Sequence, residues 1–419
     1  MQISVSMGAG RLRFQQTLIV LLMASYALAS AQRTCAEQDC VEFPIPPYND
    51  VVVMPATIGG TEHLCVIDSG ASRNVFDNSL RDMLGESLGQ ASATAADGER
   101  FEIETFHAPE IKIGTFYLKT VSKSGLKKTR SALGFVGKED RVACHDMTHF
   151  QEASGQKIEG FIGMPLFREY IVQFDFDDRR LRILPQSTSP NQDWGTEYKV
   201  SSSSQGLPTI AVELAGGSEE DCIIDTGYTG TLSLESRLFS SLINDKTMHS
   251  GHDVMLAQAN GHKQLQTGRL SKVKLGEFES NDLRVLEGGK KSRIGMTYLR
   301  QFQVTFDFPR QRIYLRKGKE FNKPDREPTM GIGILLKNEK YVVEAIFKGR
   351  PGERSGIMRG DEVLAVNGSA IQGKRNAEIR SVCRESMDKN GRVELTIRRD
   401  GVDHQIVLMA ENSDREVAD

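Results

Sequence analysis

Apolar residues in this chain come in short runs, broken repeatedly by Gly-Gly, Asp-Gly and Asn-Gly pairs. That punctuation predicts strands joined by tight turns rather than long amphipathic helices. Val51–Ile58 and Thr209–Leu214 read as strands, and each leads into a Gly-Gly turn, Gly59-Gly60 and Gly216-Gly217. A second apolar run then delivers Cys65-Val66-Ile67-Asp68-Ser69-Gly70 in one place and Cys222-Ile223-Ile224-Asp225-Thr226-Gly227 in the other. Read ungapped from Gly59 and Gly216, the two copies agree at seven of twelve positions. Each Asp is followed by a helical stretch, Ser79–Leu84 and Ser236–Leu242. Then come hairpin signals at Asp97-Gly98 and Asn260-Gly261, pairs that supply the positive φ a tight hairpin needs.

The two copies also end alike. Gly163–Phe176 lies 132 positions before Gly295–Phe308, and seven of those fourteen positions are identical. Three matching motifs in one order establish an internal duplication. The first copy is longer, and its excess at Lys123–Lys157 reads as an inserted surface loop or a substrate-side excursion. Ser, Pro, Gln and Asn dominate 186–205, and 318–329 is charged with two prolines, so both read as linkers. Beyond them Gly331-Ile332-Gly333-Ile334 leads into the strand Tyr341–Phe347, a Gly360-Asp361 turn, a helix near 376–388 and two final strands. The polar tail 411–419 reads as disordered.

Composition narrows the function classes. With 53 basic and 56 acidic residues and no long run of one sign, nothing points to nucleic acid or an anionic membrane surface. Residues 1–31 place Arg11 and Arg13 before the apolar run Leu18–Met23 and the small residues Ala27–Ala31, the order of a secretory signal peptide. The apolar stretch is shorter than the ~20 residues a membrane span requires. The expected address is therefore periplasmic or secreted, with no stable span after signal cleavage at Ala29 or Ala31. Export permits disulfides, and Cys35 with Cys40 could close a small loop. Cys65 and Cys222, in apolar strands, read as buried free thiols. Cys144-His145-Asp146-Met147-Thr148-His149 has metal-binding residue types, but the spacing fits no closed zinc pattern, so it reads as a loop.

The paired Asp-Ser/Thr-Gly motifs, each with a later apolar-Gly triplet (Phe161-Ile162-Gly163 and Arg293-Ile294-Gly295), resemble the retropepsin-like aspartic proteases. The second triplet departs, with Arg at its first place. The segment 330–410 resembles a PDZ domain of the bacterial kind, with Gly331, Ile332, Gly333 and Ile334 as its carboxylate loop. An exported protein joining the two looks like the aspartyl protease family found in Gram-negative bacteria. The implied fold is mainly β: retropepsin-like lobes at 45–185 and 206–317 in a pepsin-like bilobal arrangement, then an α/β PDZ domain.

The resemblance also implies a chemistry. Asp68 and Asp225 would share a proton and activate a water for peptide hydrolysis, with no metal and no organic cofactor. Ser69, Gly70, Thr226 and Gly227 would support the pair, the hydroxyls by bonds across the lobes and the glycines by admitting close backbone approach. Asp97, Gly98, Asn260 and Gly261 would form flaps over substrate, and Tyr228, three residues after Asp225, is expected to face the cleft. Partners would be peptide or protein substrates, with C-terminal peptides on the PDZ domain. The expected function is thus an aspartic endopeptidase. Its alternative is a non-catalytic peptide-binding protein with a degenerate cleft, and pairing of lobes between two molecules also stays open.

Overall fold

A computed structural model describes residues 40–46, 51–118, 141–251, 253–323 and 330–410. The chain is mainly β with few helices. The expectations placed on 1–31, Cys35, 411–419 and residues 324–329 of the second linker lie outside the described residues.

Two large sheets carry the duplicated motifs. In the first, the strand Thr61–Ile67 runs between Val53–Ile58, antiparallel to it, and Gly160–Ile162, parallel to it. In the second, Glu219–Ile224 lies likewise between Pro208–Leu214 and the parallel Arg293–Ile294. Consecutive apolar residues buried on both faces of these strand ends favour this local order. Cys65, Ile67, Cys222 and Ile224 are buried, as are Ile162 and Ile294 opposite them. Each Asp therefore leaves the end of a buried strand at the same height. The Asp68 N–H donates to Ile162 O and the Asp225 N–H to Ile294 O, both at 2.9 Å.

A third sheet joins the two copies. Its strands run in the order Val41–Pro44, Arg180–Pro185, Tyr170–Asp175, Phe302–Asp307, Arg312–Lys317 and Thr196–Lys199. The central pair is antiparallel, with Val172 opposite Phe306, Gln173 opposite Thr305 and Phe174 opposite Val304. Gln173 and Thr305 are the same position of the duplicated segment. A local twofold axis therefore passes between them, and the Gln173 amide donates to Thr305 Oγ1 across it at 2.8 Å. Phe167, Phe174, Phe306 and Phe308 pack around this seam edge-to-face or tilted, in one continuous core that serves both copies.

Two expectations are corrected here. The 186–205 stretch is not a linker: Trp194 is buried against Tyr314, and Thr196–Lys199 pairs with Arg312–Lys317 at the sheet edge. The Lys123–Lys157 excess is not a plain loop, because Arg141–His145 is inserted between Arg100–His107 and Val75–Asp77. The helix Thr148–Ser154 follows it directly. Burying Val142, Ala143 and Cys144 is what draws that strand into the sheet.

The C-terminal unit has its own core, built from Tyr341, Val343, Ile379, Cys383, Met387, Leu395 and their neighbours. Its sheet has Ile332–Lys337 at one edge and Val402–Met409 at the other. The helix Asn376–Asn390 packs across it, ending on the left-handed Gly391.

Candidate functional site

Asp68 and Asp225 meet where their two loops approach each other. A Cβ on Gly70 would lie 2.4 Å from the Asp225 carboxyl carbon, and one on Gly227 would lie 2.6 Å from that of Asp68. Only glycine admits the opposite carboxyl at that distance. The loops are then locked to each other by their hydroxyl residues. Ser69 Oγ donates to Ile224 O at 2.6 Å and accepts from the Thr226 N–H at 3.1 Å. Thr226 Oγ1 donates to Ile67 O at 2.7 Å and accepts from the Ser69 N–H at 2.9 Å. These four bonds join residues far apart in sequence, and both side chains are fully buried.

The two carboxyls share a hydrogen bond, yet their surroundings differ. Burial raises Asp68 well above the ordinary carboxylate range and the Asp225 charge adds to it; the Gly70 N–H, 2.8 Å away, opposes them. Burial also raises Asp225, but the Arg293 guanidinium is the largest opposing influence. Its Nε lies 3.3 Å from Asp225 Oδ2, and both side chains are nearly buried. The Gly227 and Tyr228 N–H groups each donate to Asp225 Oδ1 at 3.0 Å. Asp68 is thus raised the further of the two, while Arg293 draws Asp225 back toward the charged form.

The hairpin tips close over this floor. Between Ser87–Thr94 and Arg100–His107, the first tip turns on Gly98, with φ of +84°. Between Val254–Gln258 and Gly261–Leu265, the second turns at Ala259-Asn260. The tips bind each other. Asn260 Nδ2 donates to Asp97 Oδ2 at 3.0 Å and to Glu99 Oε2 at 2.7 Å, and the Asp97 N–H donates to Gln258 Oε1 at 3.2 Å. Arg293 reaches the same lid, its Nη1 donating to Ala96 O at 2.9 Å. One guanidinium thus ties the acid pair to its cover. The sequence marked Arg293 only as a departure from the triplet pattern and missed this role. A cation at that place, one strand away from an Asp, was the available signal.

Tyr228 requires a correction. Its side chain is buried in the second unit, with the ring against Gly230 and Gly295, and does not line the cleft. Glycine at those two positions leaves a slot that the ring fills.

In the C-terminal unit, Gly331 takes φ of +69°, and a Cβ there would collide with Arg350. The Gly331 carbonyl accepts from the Phe347 N–H at 2.9 Å, which fixes the loop before Ile332. Ile332, Ile334, Ile379, Cys383 and Met387 line a groove of about 250 Å³ between the edge strand and the helix. The second hairpin overhangs it, with Met255 Cε 2.7 Å from where a Gly333 Cβ would stand. Asn376 Nδ2 donates to Glu152 O and Ala153 O, fastening the first unit to the same groove.

Comparison with known proteins bears on that unit. Residues 328–408 match the PDZ domain family, so the chain ends in a PDZ domain. Curated relatives include the probable CtpA-like serine protease of Staphylococcus aureus (strains COL and N315 among others), 33% identical over 95 residues. The match takes in 22% of this chain and 19% of the relative, so the chain spans about a fifth of the curated relatives' length. The similarity lies in their PDZ region. Among solved structures, a PDZ domain protein from Parabacteroides distasonis is 19% identical with a TM-score of 0.19, over 21% of this chain and 20% of that one. The PDZ domain of EpsC from Vibrio cholerae is 20% identical with a TM-score of 0.17, over 19% and 94%.

The expected aspartic endopeptidase is corrected by these comparisons, because the curated relatives carry the name of serine proteases, not of aspartic ones.

Proposed function

We propose that the protein is an exported peptide-binding protein. Its PDZ domain takes the free C-terminus of a polypeptide, and a retropepsin-like, two-lobed cleft holds extended chain above Asp68 and Asp225. The observation that carries this reading is the groove beside Gly331-Ile332-Gly333-Ile334. It joins an apolar wall to the edge of a sheet, which accepts a further strand once the overhanging hairpin moves aside, and to a loop of the kind whose backbone N–H groups bind a carboxylate.

The local twofold at Gln173 and Thr305 and the matched strands leading to the two aspartates support the bilobal assignment. In the cleft Asp68 donates and Asp225 accepts, while Ser69, Gly70, Thr226 and Gly227 hold them in place. Asp97, Gly98, Asn260 and Gly261 form a cover that opens to admit chain. The signal-like N-terminus and the disulfide at Cys40 support export.

Fluorescence anisotropy of the mature protein with labelled peptides tests the reading. Peptides with a free C-terminal carboxylate should bind at least about tenfold more tightly than their amides, since a charged acceptor is lost. Mass spectrometry of the same mixtures should return the peptides intact. Equal affinity for acid and amide overturns the carboxylate role, and turnover would replace binding with hydrolysis.

A further inference from the structure

The sequence marked Cys144–His149 as metal-like, and the structure divides that cluster among different tasks. Cys144 Sγ faces Asp77 O at 3.4 Å, His145 Nε2 donates to Ala259 O at 2.8 Å, and Asp146 accepts from Thr148. His149 has a different neighbourhood. Glu152 lies three residues further on the helix Thr148–Ser154, so the two side chains share a face. His262, 113 positions away and one residue past the turn glycine Gly261, comes to the same place on the second hairpin. Gly261 takes φ of +119°, a turn conformation that places His262 near the helix. The imidazoles meet edge-on at 5.3 Å. One donor atom each from His149, Glu152 and His262 lie within 4.8 Å of one another, and all three side chains are half-buried. His262 Nε2 is shielded from solvent and has no hydrogen-bond partner among the described residues.

We propose that His149, Glu152 and His262 bind a single divalent cation of the zinc class. Two imidazoles and one carboxylate suit Zn²⁺, Co²⁺ or Ni²⁺ and disfavour Ca²⁺ or Mg²⁺, which take oxygen ligands. Tetrahedral bonds of about 2.1 Å hold ligand atoms about 3.4 Å apart, so the three groups must close by roughly 1 Å. Side-chain rotations at half-exposed positions supply that. Three protein ligands leave a fourth position for water or for a ligand from outside. The ion crosslinks the helix to the second hairpin, beside the PDZ groove. It does not involve the paired aspartates and does not rest on the peptide-binding reading.

The test is calorimetric titration of tag-free, chelator-treated mature protein with Zn²⁺, with Co²⁺ absorption as a second readout. The wild type should take up one equivalent, melt at a higher temperature with Zn²⁺, and give the visible Co²⁺ bands of a four-coordinate site. His262→Ala and Glu152→Gln should each weaken uptake at least about tenfold, while His249→Ala, at an exposed histidine, should leave it unchanged. Circular dichroism of the apo variants verifies that they fold. Uptake unaltered in His262→Ala and Glu152→Gln, or no one-equivalent binding by the folded wild type, overturns the site.

Discussion

Asp68 and Asp225 leave equivalent strands, donate the same backbone bond and face each other across the same pair of glycines, yet their electrostatic surroundings differ. Opposite Val66 the first triplet has Phe161, whose ring packs on Phe150. Opposite Ile223 the second has Arg293, which turns its guanidinium onto Asp225. The backbone of a duplicated unit is held by buried alternation and by the Ser69–Thr226 lock, so both copies retain it. The electrostatics rest on one side chain that the strand pairing does not use, and there the copies have diverged. Geometry alone is therefore a poor guide to what a carboxylate pair does.

The largest expected effect breaks the half that faces Arg293. Asp225→Asn leaves Arg293 nearly buried without its carboxylate, and the mature protein should lose about 3 kcal/mol at pH 7 in urea unfolding. The matching change in the other copy, Asp68→Asn, should cost less than about 1 kcal/mol, because a protonated acid gives way to an amide that can still donate. Equal losses would mean the copies are electrostatically alike after all.

A pH profile sharpens the same contrast. Burial and the charge of Asp225 raise Asp68 in the folded state, so the folded protein binds that proton more tightly than the unfolded chain does. Its stabilising share is present below the ordinary carboxylate range, near pH 4, and is lost as pH rises from there through the raised value. Asp68→Asn should flatten that decline above about pH 4. A variant whose stability falls with pH as steeply as the wild type would move the proton elsewhere.

The smallest effect concerns the second hairpin, which overhangs the PDZ groove as the first overhangs Arg293. Met255→Ala removes the side chain that lies against Gly333 and should tighten binding of carboxylate peptides about threefold in anisotropy, by enlarging the fraction of open groove. Weaker binding would make Met255 part of the peptide's seat.

Much of this was legible in the chain. The duplicated strands, the turn glycines and the C-terminal module follow from short apolar runs and their punctuation. Thr196–Lys199 was not legible, because a polar edge strand next to Ser and Pro has a linker's composition and only its partner Arg312–Lys317 identifies it. Arg141–His145 was hidden in the same way, as five residues beside a stretch of lysines. Tyr228 was misplaced because its slot is made by Gly230 and by Gly295, far along the chain. His149 and His262 belong to different copies, and no spacing could have joined them.

The sheet at the local twofold has a consequence for how the molecule is made. Tyr170–Asp175 gains its partner Phe302–Asp307 only after some 130 further residues have been synthesised, so the first copy must wait with an open strand edge. That edge shares three of six residues with its eventual partner, which makes another newly made chain a competitor for it. The seam that unites the finished protein is thus also the place where two unfinished ones would exchange strands.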